Sequence, residues 1–111
     1  YKPNTGLNNL VMSWGHDEYL YNVLKYNGST LPQLAHNIVR YHSFYAWHTP
    51  KNNNRGYTYL ASYNDWILLP LLKLFQKTDL YSKTNVLPDI NELEPYYNNL
   101  INKYILNTLL F

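Results

Sequence analysis

Cysteine is missing altogether from the 111 residues. This excludes a disulfide framework and any thiolate metal site, and it is compatible with a reducing compartment, so the cytoplasm is the expected location. No apolar run reaches the ~18–20 residues a helix needs to cross a bilayer, so no membrane partner is expected. Charge is scarce too, at 14% of residues with a net +2, which is too little for a nucleic-acid footprint. Hydrophobic residues make up 46%, the composition of a globular chain rather than a disordered one. That length and composition suit one small domain with a modest core, expected as a monomer. Tyrosine is plentiful at 13 copies alongside many asparagines, a usage typical of AT-rich coding, and it carries no function as a group. The chain opens on Tyr1 rather than methionine, and is expected to be a partial sequence.

The periodicity is helical throughout. Residues 1–15 contain Pro3, Gly6 and Gly15 and read as an irregular lead-in. Asp17 to about Tyr26 carries Leu20, Val23 and Leu24 at helical spacing, and Asn27-Gly28-Ser29 stops it. Thr30 and Gln33 form a capping-box pattern, with Pro32 in the first turn. It predicts a helix from about Leu31 to Trp47 with Leu34, Ile38, His42 and Tyr45 along one face. His48 to Gly56 reads as an Asn-rich loop, followed by a weak strand over 57–62. A third long helix is expected from near Ser62 to near Leu80, with Pro70 inside it. Asp89 and Glu92 open a last helix that runs to about Tyr104. The class is all-α.

Imidazoles and carboxylates are the side chains that hold non-haem iron. His16, His42 and Asp79 each sit inside a dense aromatic motif, and a fold that joined them in a dry pocket would give a metal site. Each has a plainer reading. His16 precedes Asp17 and Glu18, and its plainer reading is a polar helix-start residue. His42 shares a stripe with Leu34 and Ile38, and a hydrogen-bonded core histidine is the commoner case at such a position. Asp79 and Lys83 are four apart, which suits a solvent-facing ion pair as well as a metal ligand with a lysine reaching over it. Ser43, next to His42, is a candidate hydroxyl donor to the same cavity. His36 lies about 240° round the helix from His42 and is expected on the surface. His48 is expected to be structural or to cap a helix end.

Four ordered stretches then resemble one family. Leu10 to Tyr21 reads LVMSWGHDEYLY and Arg40 to Thr49 reads RYHSFYAWHT. Phe75, Lys77, Asp79-Leu80-Tyr81 and Lys83 form the third. Leu87-Pro88-Asp89 and Pro95-Tyr96-Tyr97, with Leu100-Ile101 and Lys103-Tyr104, form the fourth. Together they are similar to the myo-inositol oxygenase family. The loop from Pro50 to Ser62 looks longer than the family's and departs from it. The resemblance implies a helical His-Asp (HD)-domain-like fold, with residues 1–111 as the C-terminal part of a single catalytic domain. It implies a non-haem di-iron centre of two Fe ions, with myo-inositol and O2 as substrates and D-glucuronate as product. It implies His16 and His42 on one iron, Asp79 on the other, and Ser43 and Lys83 on the inositol. Asp17 is then a helix-start or supporting residue that orients an imidazole. A further histidine and a His-Asp pair are expected upstream of Tyr1, so this stretch holds half of the family's protein ligands and would be inactive alone. Two alternatives stand beside this reading. One is an HD-type metal-dependent phosphohydrolase, which needs basic groups for phosphate and finds only Arg40 and Lys83 near the motifs. The other is a non-catalytic, degenerate fragment.

Overall fold

In a computed structural model, residues 1–51, 55–82, 89–105 and 108–111 are described, with backbone alone for 79–82. They form helices α1 (His16–Tyr26), α2 (Gln33–Tyr41), α3 (Tyr45–His48), α4 (Tyr63–Ser82) and α5 (Ile90–Tyr104). Short 3-10 turns occupy Leu7–Asn9 and Thr58–Leu60. No strand occurs among the described residues, and no helix among them is long and apolar enough to cross a membrane. The all-α class is therefore as the pattern predicts. The weak strand over 57–62 is not formed. The lead-in does bond to that segment, from Asn4 N–H to the Tyr59 carbonyl at 2.8 Å and from Gly6 N–H to the Leu60 carbonyl at 2.8 Å. The backbone there nevertheless coils into its 3-10 turn instead of extending.

α1 begins on Gly15 and carries Asp17 and Glu18 in its first turn, where negative charge complements the helix dipole. It ends in a Schellman motif. Ser29 N–H reaches the Leu24 carbonyl and Gly28 N–H the Lys25 carbonyl, with Gly28 at a φ of 68° that a side chain would strain. α2 starts two residues later than expected. Pro32, not Thr30, is its N-cap residue. Thr30 is drawn away instead, its N–H donating to the Tyr104 carbonyl at the end of α5 at 2.9 Å.

The expected single helix from Leu31 to Trp47 is broken at 42–44. Side-chain bonds there compete with the helical ladder. The His42 ring donates from Nδ1 to the Val39 carbonyl at 2.7 Å, and the His48 ring donates from Nε2 to the His42 carbonyl at 3.0 Å. The break rotates α3 so that Trp47 enters the core and Tyr45 faces out, and Leu34 is exposed as well. The Leu34–Tyr45 stripe is thus not the buried one.

Leu7, Leu10, Tyr41, Trp47, Leu60, Ala61, Leu68 and Leu72 make the core, drawn from the lead-in, α2, α3, the 58–60 turn and α4. Each buried leucine contributes about 1.5–3 kcal/mol. Asp65, in the first turn of α4, fastens the lead-in to it. Its Oδ2 accepts from Ser62 N–H at 2.7 Å, Ser62 Oγ at 2.9 Å and Leu7 N–H at 3.0 Å. α4 runs unbroken through Pro70 and buries Leu68 and Leu72 on one side. α5 starts where predicted, Asp89 accepting from Asn91 N–H at 3.0 Å, yet none of its residues is buried.

Candidate metal centre

Two of the sequence-predicted ligands meet. His16 opens α1 and His42 closes α2, and their Nε2 atoms lie 3.2 Å apart. The two helices pack against each other side by side, which brings residues 26 positions apart to one end of the pair. Ser43 joins them, its Oγ 3.3 Å from His16 Nε2. The His42 ring also rests edge-on against Phe75 of α4, with centroids 5.8 Å apart.

The hydrogen bonds fix how these rings present themselves. Val39's carbonyl only accepts, so His42 Nδ1 carries the proton and its Nε2 offers a lone pair. Such a bond to the remote nitrogen is how proteins orient a metal-binding imidazole. His16 Nδ1 faces Asp17 Oδ1 at 3.9 Å, an ion-pair distance rather than a hydrogen bond. Two imidazole nitrogens about 2.1 Å from one ion and roughly 100° apart lie about 3.2 Å from each other. The pair therefore fits two corners of one metal's shell. Among the described residues no third histidine, cysteine, aspartate or glutamate completes a cluster that could hold a metal ion.

The pocket expected to be dry is open on this side. The His16 side chain is 74% exposed. On α4, Ile67, Leu71, Leu74 and Phe75, the last against the His42 ring, are exposed as well. A helix apolar on all sides is one meant to be enclosed. A cleft of about 650 Å³ lies alongside, with His16, Ser43, Glu18 and Arg40 on its wall among Leu10, Met12, Phe44 and Tyr57. Asp79 lies in α4, one turn beyond Phe75, and its side chain is outside the described residues. Lys83 lies outside the described residues altogether.

An ion pair behind the imidazoles was not legible as such. Arg40 meets Glu18 in a two-pronged contact, Nε to Oε2 at 2.6 Å and Nη2 to Oε1 at 3.0 Å, with both side chains largely buried. Burial opposes the charge on Arg40, but the Glu18 hydrogen bond and neighbouring charges outweigh it and hold the guanidinium above its ordinary value. Burial pushes the adjacent Tyr41 phenol up to about 12. A Glu two residues after one histidine and an Arg two before the other was the only signal available.

The other two histidines are structural. His36 is 3% exposed, against the expectation of a surface residue. The reason is that α1 covers that side of α2, with the Tyr21 ring 6.4 Å from the imidazole. Burial, and secondarily Lys25, lowers its pKa. His48 is buried as well and its pKa is lowered chiefly by burial.

Comparison with known proteins agrees over the whole chain. The family model described as myo-inositol oxygenase matches residues 1–111. Inositol oxygenase of Mus musculus is 49% identical over 109 residues, 98% of this chain and 37% of that protein. That of Danio rerio is 48% identical over 104 residues, 94% of this chain and 36% of that protein. Inositol oxygenase 4 of Arabidopsis thaliana is 50% identical over 104 residues, 94% of this chain and 32% of that protein. The chain thus spans about a third of the length of these relatives.

Proposed function

The chain belongs to the myo-inositol oxygenase family, and on that premise we propose that residues 1–111 form the C-terminal part of one inositol oxygenase catalytic domain. The activity of the full-length protein is then oxygen-dependent cleavage of the myo-inositol ring to D-glucuronate, by a cytoplasmic monomer. His16 and His42 are the two imidazole ligands of one iron, and Asp79 is a carboxylate ligand of the other. Ser43 and Lys83 contact the inositol. For Asp79 and Lys83 the support is the sequence motif alone. When bound, the two irons supply the change of valence that oxygen chemistry needs and that zinc lacks.

The chain's own residues prepare the site for that chemistry. The Val39 carbonyl holds the proton of His42 at Nδ1, away from the metal side. Asp17 lies on the Nδ1 side of His16, which leaves its Nε2 turned toward His42. The Ser43 hydroxyl, beside both, is placed to exchange hydrogen bonds with a polyol hydroxyl. The single observation that carries the reading is the pair of Nε2 atoms 3.2 Å apart, in a chain of this family. The phosphohydrolase alternative loses ground because Arg40, one of its two cations, is already engaged by Glu18.

The test is His42→Ala in the full-length protein, read by iron content per chain and inositol-dependent oxygen uptake. Both are expected to fall, with most helicity retained. Two irons and normal turnover in the variant would remove His42 from the ligand set. Lys83→Met separates substrate from metal: near-normal iron content is expected, with kcat/KM reduced by about 2–4 kcal/mol, the scale of one well-placed donor. Unchanged kcat/KM would return Lys83 to the surface.

A further inference from the structure

We propose that the Glu18–Arg40 ion pair is a positioning brace that sets the spacing of His16 and His42. The proposal rests on the reading that these two imidazoles share one metal. His16 itself has little to hold its ring: it is 74% exposed, and among the described residues its contacts are to Asp17, Ser43 and the other imidazole. Where its nitrogen points is therefore decided by where α1 lies against α2. Glu18 sits two residues past His16 on the first turn of α1. Arg40 sits two residues before His42 on the last turn of α2. A contact between them sets the gap between the helices at the level of the imidazoles.

The form of the contact suits this task. A planar guanidinium met by both oxygens of one carboxylate is fixed in distance and in angle, which a single point contact is not. The guanidinium is further held between two rings, 4.6 Å from the Tyr21 centroid and 5.5 Å from that of Tyr41, one from each helix. Its Nη1 also donates to the Tyr41 hydroxyl at 3.4 Å. A further side-chain hydrogen bond between these helices, Lys25 Nζ to Gln33 Oε1 at 3.1 Å, is at the opposite end and exposed. As a source of stability alone the pair is a poor device, because desolvation offsets most of its attraction. What a buried fork does supply is register.

The test uses the full-length protein, with Glu18→Asp, which keeps both charges but shortens one arm, and Arg40→Lys, which keeps the charge but loses the fork. Ferrous iron is titrated, and the cobalt(II)-loaded protein is examined by visible spectroscopy, at a temperature where the circular dichroism of variant and parent coincides. Each variant is expected to weaken metal binding at one site by about 10–100-fold, the usual effect of altering a group that supports a ligand. The cobalt bands are expected to shift with it. A folded variant with parental affinity and parental bands would overturn the brace, since a purely structural contact moves neither. If Arg40→Lys does not fold, Glu18→Asp decides alone. His42→Ala, run in parallel, separates the two claims. If it leaves metal binding intact, the shared-metal reading fails; if it abolishes binding while Glu18→Asp does not, only the brace fails.

Discussion

The lead-in and the last helix invert the usual relation between regularity and burial. Residues 1–15 hold little regular structure, yet Leu7 is fully buried and Leu10 nearly so. α5 runs 15 residues with a sound N-cap, and buries nothing. The difference lies in partners. The lead-in is received by the 58–60 turn, α4 and the Asp65 carboxylate. α5 is fastened near its end, where the Tyr104 carbonyl accepts from Thr30. Local propensity makes a helix, but only a facing apolar surface makes a core.

The largest effect expected from this contrast is at Trp47, fully buried against Tyr41 and Trp66. Trp47→Ala should cost about 3–5 kcal/mol in chemical denaturation, the range for deleting a core aromatic. A loss below ~1 kcal/mol would mean that the lead-in side is no better packed than α5. Next is Asp65→Ala, which leaves the buried Leu7 N–H without its acceptor, a penalty of about 1–3 kcal/mol. Asp65→Asn, which keeps an acceptor oxygen, should recover part of that in the same assay.

Acid gives a smaller and directional effect. Burial lowers the pKa of His36, so the folded protein resists a proton that the unfolded chain accepts near its ordinary value of 6.5. Stability is then full above about pH 6.5 and declines as pH falls from there toward the lowered value, below which the loss is complete. Buried His48 acts with the same sign. Melting curves from pH 7.5 to 5 should show His36→Leu losing less on acidification than the parent. Equal losses would show that His36 is already charged in the fold. The smallest effect belongs to α5. Ile101 is half exposed, and Ile101→Ser in the 111-residue chain should shift stability by no more than about 0.5 kcal/mol. A larger loss would show that α5 packs against the rest of this chain more tightly than its exposure implies.

Much of this was legible in the sequence. The three long helices and the Asp89 cap follow from periodicity and capping chemistry. The motifs around His16 and His42 pointed to one site, and the two rings do converge. What was not legible depends on contacts distant in sequence. His36 was assigned to the surface because a helical wheel knows its own helix but not that α1 covers the far side. Thr30 matched a cap pattern but was claimed by Tyr104, 74 residues away. The break at 42–44 depends on two histidine rings reaching backbone carbonyls, which no spacing rule encodes.

The bond between Leu7 and Asp65 also has a consequence in time. Its two ends are separated by 58 residues, so a ribosome adding ~5–20 residues per second makes the lead-in about 3–12 s before its receiver exists. Through that interval Leu7 lacks the Asp65 carboxylate and the α4 leucines of its core, whereas α1 and α2, neighbours in the chain, can pair at once. The imidazole end of the molecule is thus free to assemble before the α4 contacts that complete the core beneath it.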